Sequence, residues 1–282
     1  MSAAQRIIAT ATDRHFVELA GVMLHSLVAT DVTEDVRLVV FCDGLRSCDK
    51  SNIAKCVHPR TVEFIDLEKA HAARIRTLQT NSNWSRAIYT RLLMPQLLGM
   101  TTGRILYLDA DTLVVDSVSP LFEIDLRNYA IGAMGGKSAK ETARLGLASD
   151  IETFNSGVLV VDVERWLRED ISEKTLALAA ERASQNLPAF DQDVLNIVIN
   201  GRFAKLDYRW NCLGKSEHPS PAIIHFTHAK PNTTRCKHPW RQAYFEHRAQ
   251  TPWGSARLKT KWDRRARRLS TSLRRILGQF WT

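Results

Sequence analysis

Five cysteines are all that 282 residues contain, an odd number, and no Cys-x-x-Cys occurs among them. These features favour free thiols and a reducing cytoplasm. No Gly-x-Gly-x-x-Gly follows the first apolar run and no Walker loop occurs anywhere. A dinucleotide-binding dehydrogenase and a P-loop phosphotransferase are thereby disfavoured. No uninterrupted apolar stretch approaches the roughly 20 residues a membrane-spanning helix requires, and Arg6 is followed by an apolar run too short for a secretory signal. Internal repeats and low-complexity segments are absent.

Acidic charge is scarce at one end only. Residues 257–282 hold nine Lys/Arg and a single acid, Asp263, whereas the other residues carry 30 basic and 29 acidic side chains. Of the overall charge of +9, the C-terminal segment therefore carries +8 and the remainder of the chain +1. A nearly neutral body argues against a nucleic-acid-binding one. Within the segment, Leu269, Leu273, Ile276, Leu277 and Phe280 share one helical face flanked by Arg267, Arg268, Arg274 and Arg275. Such a basic amphipathic helix suits an anionic membrane surface; packing on the protein body is the alternative. The expected organisation is a domain over residues 1–254 and a basic membrane-associating tail over 255–282.

Within the body, short apolar strands alternate with helical periodicity. Strands are expected at Ile7–Ala11, Val36–Phe41, Val62–Asp66 and Ile105–Leu108. Helices are expected over His15–Leu27, Ser47–Val57 and Trp84–Leu98. Asp13 reads as the N-cap of the first of these helices, at a strand–helix junction where nucleotides bind in such folds. The β-α-β-α-β order predicts an α/β fold: a mostly parallel Rossmann-like sheet with helices on both faces. Later segments read as strands at Tyr129–Met134, 154–162 and Ala222–Phe226. A helix broken near Asp170 and an apolar helix opening at Asp191-Gln-Asp193 complete the pattern.

The chemistry concentrates at Leu108-Asp-Ala-Asp111, where a buried-type strand runs into two carboxylates. In extended chain, residues i and i+2 face the same side. Two acids so placed repel unless a cation lies between them, and hard oxygen ligands favour Mg²⁺ or Mn²⁺. His225, His228, Cys236 and His238 raise zinc as an alternative at irregular spacing.

Six motifs occur in one order: Ala11-Thr-Asp13, Tyr89-Thr-Arg91, Leu108-Asp-Ala-Asp111, Phe154-Asn-Ser-Gly157, Phe190-Asp-Gln-Asp193 and His225-Phe-Thr-His-Ala-Lys-Pro231. The chain resembles glycosyltransferase family 8, of GT-A fold, over about residues 6–254. The resemblance implies a hexosyltransferase that takes a UDP-sugar (UDP-galactose or UDP-glucose), uses Mn²⁺ (the ligand chemistry leaves Mg²⁺ possible), and retains anomeric configuration. Its acceptor would be a saccharide or lipid-linked saccharide of lipopolysaccharide type, and its place the cytoplasmic face of a membrane. Carried over by position, Asp109, Asp111 and His225 would hold the metal. Ala11 and Asp13 would contact uridine, with Asp109 also reaching ribose or sugar. Arg91, Asn155, Ser156 and Lys230 would contact the remainder of the donor. Asp191, Gln192 and Asp193 would line the reacting sugar. Two departures stand out: His225 and Lys230 are five apart where six is usual, and His228 and Asn232 replace the customary Gly and Trp. A sugar-nucleotide pyrophosphorylase and an inactive membrane-surface binding protein are the rival readings.

Overall fold

A computed structural model of the chain describes residues 5–30, 35–67, 86–136, 138–182, 190–214 and 218–263. Seven strands form the main sheet: β1 (Arg6–Asp13), β2 (Val36–Asp43), β3 (Glu63–Asp66), β4 (Arg104–Leu108), β6 (Ile131–Gly136), β7 (Thr153–Asp162) and β8 (Ala204–Lys205). Their order across it is β3-β2-β1-β4-β7-β6-β8. Every pairing is parallel except those of β7, which runs against both β4 and β6. The expected mostly parallel sheet is therefore present, with one reversed strand, β7, between β4 and β6.

Alternation along the central strands builds two cores. Ile7, Ala9 and Ala11 of β1, Ile105 and Tyr107 of β4, and Leu159 and Val161 of β7 face one side. Ile8, Leu106, Leu108, Val158 and Val160 face the other. Strands buried on both faces must be apolar at consecutive positions, which is why these segments read as unbroken runs. Helix α3 (Thr90–Leu97), α5 (Val163–Arg168), α6 (Ile171–Glu181) and α7 (Phe190–Ile199) contribute to the first core. Helix α1 (Val17–Val28) and α2 (Ser47–Val57) contribute to the second.

The expected helix over 47–57 is present with the same bounds. The first helix begins two residues later than expected, because the Asp13 carboxylate accepts from the amides of His15 (2.8 Å) and Phe16 (3.0 Å) and holds a separate turn before it. Within the expected 84–98 helix, residues 86–89 form a 3₁₀ turn ahead of α3, and residues 84–85 fall outside the described set. The strand expected at 129–134 lies at 131–136. The break at Asp170 is a left-handed residue, φ +57°, between α5 and α6.

A second sheet, β5 (Thr112–Val114), β10 (Ile223–His225) and β9 (Cys212–Leu213), packs on α1 and on α8 (Arg241–Ala249) through Leu113, Ile224, Phe226 and Tyr244. Helix α4 (Ala139–Leu145) stands beside α7. All five cysteines are free. Among the described residues no helix is long and apolar enough to cross a membrane. The amphipathic spacing expected beyond residue 264 lies outside the described residues.

Where α8 meets α1, the Nδ1 atoms of His25 and His247 lie 3.2 Å apart. Burial pushes both imidazoles below their ordinary 6.5, with His25 lowering His247 further. A base whose folded value is depressed binds fewer protons folded than unfolded, so stability is complete above about pH 6.5 and falls as pH drops through it. We therefore expect the melting temperature to fall between pH 7.5 and 5.5, and the fall to be smaller in His247→Gln. Equal falls in thermal melts of the two proteins would contradict this.

Candidate active site

β4 ends at Leu108, and the chain then turns sharply. The Thr112 amide (3.1 Å) and hydroxyl (2.8 Å) both donate to the Asp109 carbonyl. The two carboxylates thus converge through a turn, not through the extended i, i+2 alternation expected from sequence. The antiparallel register of β5 with β10 sets His225 opposite Thr112, and the Phe226 amide donates to the Asp111 carbonyl at 3.0 Å. His225 is consequently delivered to the carboxylates by sheet pairing.

One donor atom each from Asp109, Asp111 and His225 lies within 4.8 Å of the others. His225 Nε2 is 3.3 Å from Asp111 Oδ1 and 3.9 Å from Asp109 Oδ2. The opposite oxygens are occupied: Arg91 Nη2 (2.8 Å) and the Tyr107 hydroxyl (3.0 Å) donate to Asp109 Oδ1, and Lys230 Nζ pairs with Asp111 Oδ2. Burial alone would raise the Asp111 carboxyl, but the Lys230 ammonium and then His225 hold it well below the usual carboxylate range. It is ionised at any physiological pH.

The hydrogen-bond network fixes a proton on His225 Nδ1. The amides of Ser156 and Gly157 can only donate, so the oxygens facing them, Gln192 Oε1 (3.1 Å) and Asn155 Oδ1 (3.0 Å), are acceptors. Asn155 Nδ2 donates to Gln192 Oε1 (3.0 Å), and Asn211 Nδ2 donates to Asn155 Oδ1 (2.8 Å). Asn211 Oδ1 is then left to accept from His225 Nδ1 at 2.9 Å. Nδ1 therefore carries a proton, and Nε2 is the ring nitrogen turned toward the carboxylates. That is the orientation a metal-ligating imidazole needs, with an outer partner fixing the ring. Two carboxylate oxygens and one imidazole nitrogen fit a hard or borderline divalent ion.

β7 brings the Asn-Ser-Gly motif here because the Asp109 amide donates to the Gly157 carbonyl at 2.8 Å. The β6–β7 register shifts between Ala133 and Met134, so residues 156–158 have no partner on β6. This irregularity re-aims the strand at the site, a common use of a bulge. A Cβ at Gly157 would lie 2.2 Å from His225 Cε1 and 2.9 Å from Asp109 Oδ2. Only glycine lets the imidazole approach.

Arg91, which local sequence marks as an ordinary solvated helical charge, is buried and central. Its guanidinium donates to Asp109, to the Ser156 carbonyl (2.7 Å) and hydroxyl (2.9 Å), and pairs with Asp191 Oδ2 at 2.7 Å. It also lies over the Tyr107 ring, 4.7 Å from the centroid. Burial pushes the Asp191 carboxyl up to about 6, against the pull of Arg91 and with a small push from Asp109.

Nine residues singled out from sequence thus form one connected network: Arg91, Asp109, Asp111, Asn155, Ser156, Asp191, Gln192, His225 and Lys230. Lys230 reaches Asp111 and also donates to the Phe226 carbonyl (2.7 Å), so five residues of spacing suffice for that contact. Ala11 and Asp13 sit at the end of β1, the parallel neighbour of β4. Asp193 points elsewhere: it is fully buried and makes a two-pronged pair with Arg144 of α4 (2.7 and 2.8 Å).

Sequence reading missed Tyr107, Asn211, Arg144 and Asn196. Tyr107 was accessible, since i, i+2 alternation places it beside Asp109. Asn196 clamps both backbone groups of Phe154 (2.8 and 2.9 Å) and carries no local signal. Among the described residues, no second group of His, Cys, Asp and Glu side chains is close enough to hold a metal. The zinc alternative fails because His238 is bonded to the Gly214 carbonyl and His225 belongs to the carboxylate cluster.

Beside Lys230 a cleft of about 810 Å³ opens between the turn after β1 (Arg14, His15, Phe16) and the strip 256–263. It offers a partly apolar floor under a cationic rim, which suits an anionic ligand carrying a ring.

The glycosyl transferase family 8 model matches residues 7–240. General stress protein A of Bacillus subtilis is 26% identical over 88% of this chain and 94% of its own. The lipopolysaccharide 1,3-galactosyltransferase of Salmonella typhimurium is 26% identical over 89% and 80%. A crystal structure of galactosyltransferase LgtC in complex with donor and acceptor sugar analogs superposes with a TM-score of 0.73 at 23% identity, covering 87% of this chain and 96% of that one, which supports the same fold. With its Asp109–Asp111–His225 cluster at the end of β4 and the family's pattern running through nearly the whole domain, the chain belongs to glycosyltransferase family 8.

Proposed function

We propose that this protein is a hexosyltransferase that moves galactose or glucose from a UDP-sugar to a hydroxyl of a lipopolysaccharide-type acceptor, retaining configuration and depending on Mn²⁺, with Mg²⁺ as a weaker substitute. The observation that carries the reading is the convergence of Asp109 Oδ2, Asp111 Oδ1 and His225 Nε2, with Arg91 and Lys230 alongside. The Salmonella relative is named for hexosyl transfer to lipopolysaccharide, and that supports the acceptor class.

Breaking a glycosyl–phosphate bond leaves negative charge on the departing diphosphate, and fixed cations lower the barrier by meeting that charge as it forms. A divalent ion held by Asp109, Asp111 and His225 would add positive charge at the same oxygens. Arg91, fixed by four partners, and Lys230 supply charge without having to reorganise. The cleft beside Lys230 would receive the nucleotide, with Ala11 and Asp13 at its strand end. Asn155 and Ser156 would contact the sugar and ribose, and Asp191 the sugar hydroxyls.

Gln192, whose carbonyl oxygen is held by Asn155 and the Ser156 amide, lies in the part of the site that would face the anomeric carbon. It would stabilise the oxocarbenium-like sugar without forming a bond to it. The acceptor hydroxyl attacks from the leaving-group face and passes its proton to the departing phosphate oxygen. Asp193, committed to Arg144, acts by holding the start of α7.

Asp111→Asn is expected to lower transfer from UDP-galactose or UDP-glucose by about 10²–10³-fold in a protein that still folds but melts lower, because Lys230 loses its charged partner. EDTA-treated wild type should match the lowered rate. An Asn variant with the wild-type rate in a donor-consumption assay would remove the metal assignment.

The basic segment supports a second part of the same proposal: contact with an anionic membrane surface that presents a lipid-linked acceptor. Each cation near such a surface contributes about 1 kcal/mol. The full chain should co-sediment with anionic liposomes and a chain ending at residue 263 should not. Equal co-sedimentation of the two rules the tail out.

A further inference from the structure

The strip 256–263 forms one wall of the cleft beside Lys230, and one residue within it holds the other two walls together. On its backbone, Lys259 donates to the Asn232 carbonyl (2.9 Å) and accepts from the Thr234 amide (3.0 Å), as part of a parallel bridge with Thr233. This ties the strip to the loop that carries Lys230. Its side chain crosses to the other wall: Nζ donates to the His15 carbonyl at 2.8 Å and lies 3.9 Å from Glu18 Oε2. His15 belongs to the turn that Asp13 closes.

The base beneath this span is rigid. Glu18 is buried on α1 and bonded to Arg248 Nε (2.8 Å) and Asn232 Nδ2 (2.9 Å). Arg248 in turn donates to the carbonyls of Gly254 (3.0 Å) and Ala256 (2.7 Å), and Trp253 packs against Gly21, where a Cβ would come within 2.3 Å of the indole. The strip is thus anchored to α1 and α8 at one end and to the Lys230 loop at the other. Asn232, the departure from the usual Trp, has its use here.

We infer that Lys259 is a positioning residue that sets the separation of the Asp13 turn and the Lys230 loop, and through it the affinity for the donor's nucleoside diphosphate. The catalytic unit accordingly extends to about Asp263, into the segment that charge counting assigns to the tail. The inference rests on the reading of this cleft as the donor site. Any residue can make the backbone bridge at 259; only a long cationic side chain also spans to His15. The side chain is 41% exposed, and half-exposed ion pairs contribute little to global stability. Its loss should be read in binding, not in melting.

The test uses the full chain, with UDP as probe. Lys259→Met is expected to raise the calorimetric Kd for UDP in Mn²⁺ and the KM for the UDP-hexose about tenfold. The same variant should leave kcat within about twofold and the melting temperature unchanged, since the chemical groups and the core are untouched. Lys259→Arg should recover most of the affinity, because it keeps charge and reach. An unchanged Kd in Lys259→Met, a parallel loss of kcat and melting temperature, or no recovery by arginine would each overturn the inference. A wild-type chain that takes up no UDP, with or without Mn²⁺, would instead overturn the reading of the cleft and the inference with it.

Discussion

Two carboxylates held close together in a largely buried site are unstable company, and the architecture of this protein is arranged around keeping them there. Asp109 and Asp111 each give one oxygen to a cation of the protein, Arg91 and Lys230, and turn the other toward His225. Breaking a buried charge pair by removing one partner is costly because the remaining charge is left unsolvated. The cluster therefore stands as a unit: two acids, two cations and an imidazole whose Nε2 completes a three-donor pocket.

Three separate features of the fold deliver that unit. β4 ends in a turn closed by Thr112, and β5 then pairs with β10 so that His225 falls opposite that turn. β7 runs antiparallel beside β4 and loses register with β6 at residues 156–158, where Gly157 makes room for the ring. Helix α3 projects Arg91 across both motifs into contact with α7 at Asp191. Backbone amides at 156 and 157 then propagate a single hydrogen-bond direction through Gln192, Asn155 and Asn211 to the His225 ring. Orientation of the His225 ring is thus inherited from the main chain, which cannot flip.

Much of this was legible in the sequence, and the reasons are physical. Doubly buried strands write themselves as unbroken apolar runs, so β1, β2 and β4 and the mostly parallel sheet could be read directly. The Asp-Ala-Asp pair announced itself because acids rarely end an apolar run without a partner. Arg91 did not: its partners lie 18, 65 and 100 positions away, and local periodicity cannot distinguish a solvated helical arginine from a buried clamp. The six ordered motifs supplied its role where spacing could not. Asn211, Arg144 and Lys259 had neither aid, since each acts through long-range contacts that leave no periodic signature in its own segment. The turn at 109–112 was also hidden, because an extended reading places the two acids on one side equally well.

The same distinction separates the domain from its basic end. Counting charge places a boundary near residue 255, yet Lys259 pairs with the loop around Thr233 and Asp263 accepts from Arg257 and Thr260. Composition reports where charge is concentrated; pairing reports which described residues the fold holds. The most direct test of the central claim is anomalous diffraction from crystals soaked with MnCl₂ and UDP. The account predicts one strong manganese peak bounded by Asp109, Asp111 and His225 and in contact with the diphosphate. A map with bound UDP and no peak there, or with its only peak elsewhere, would contradict it.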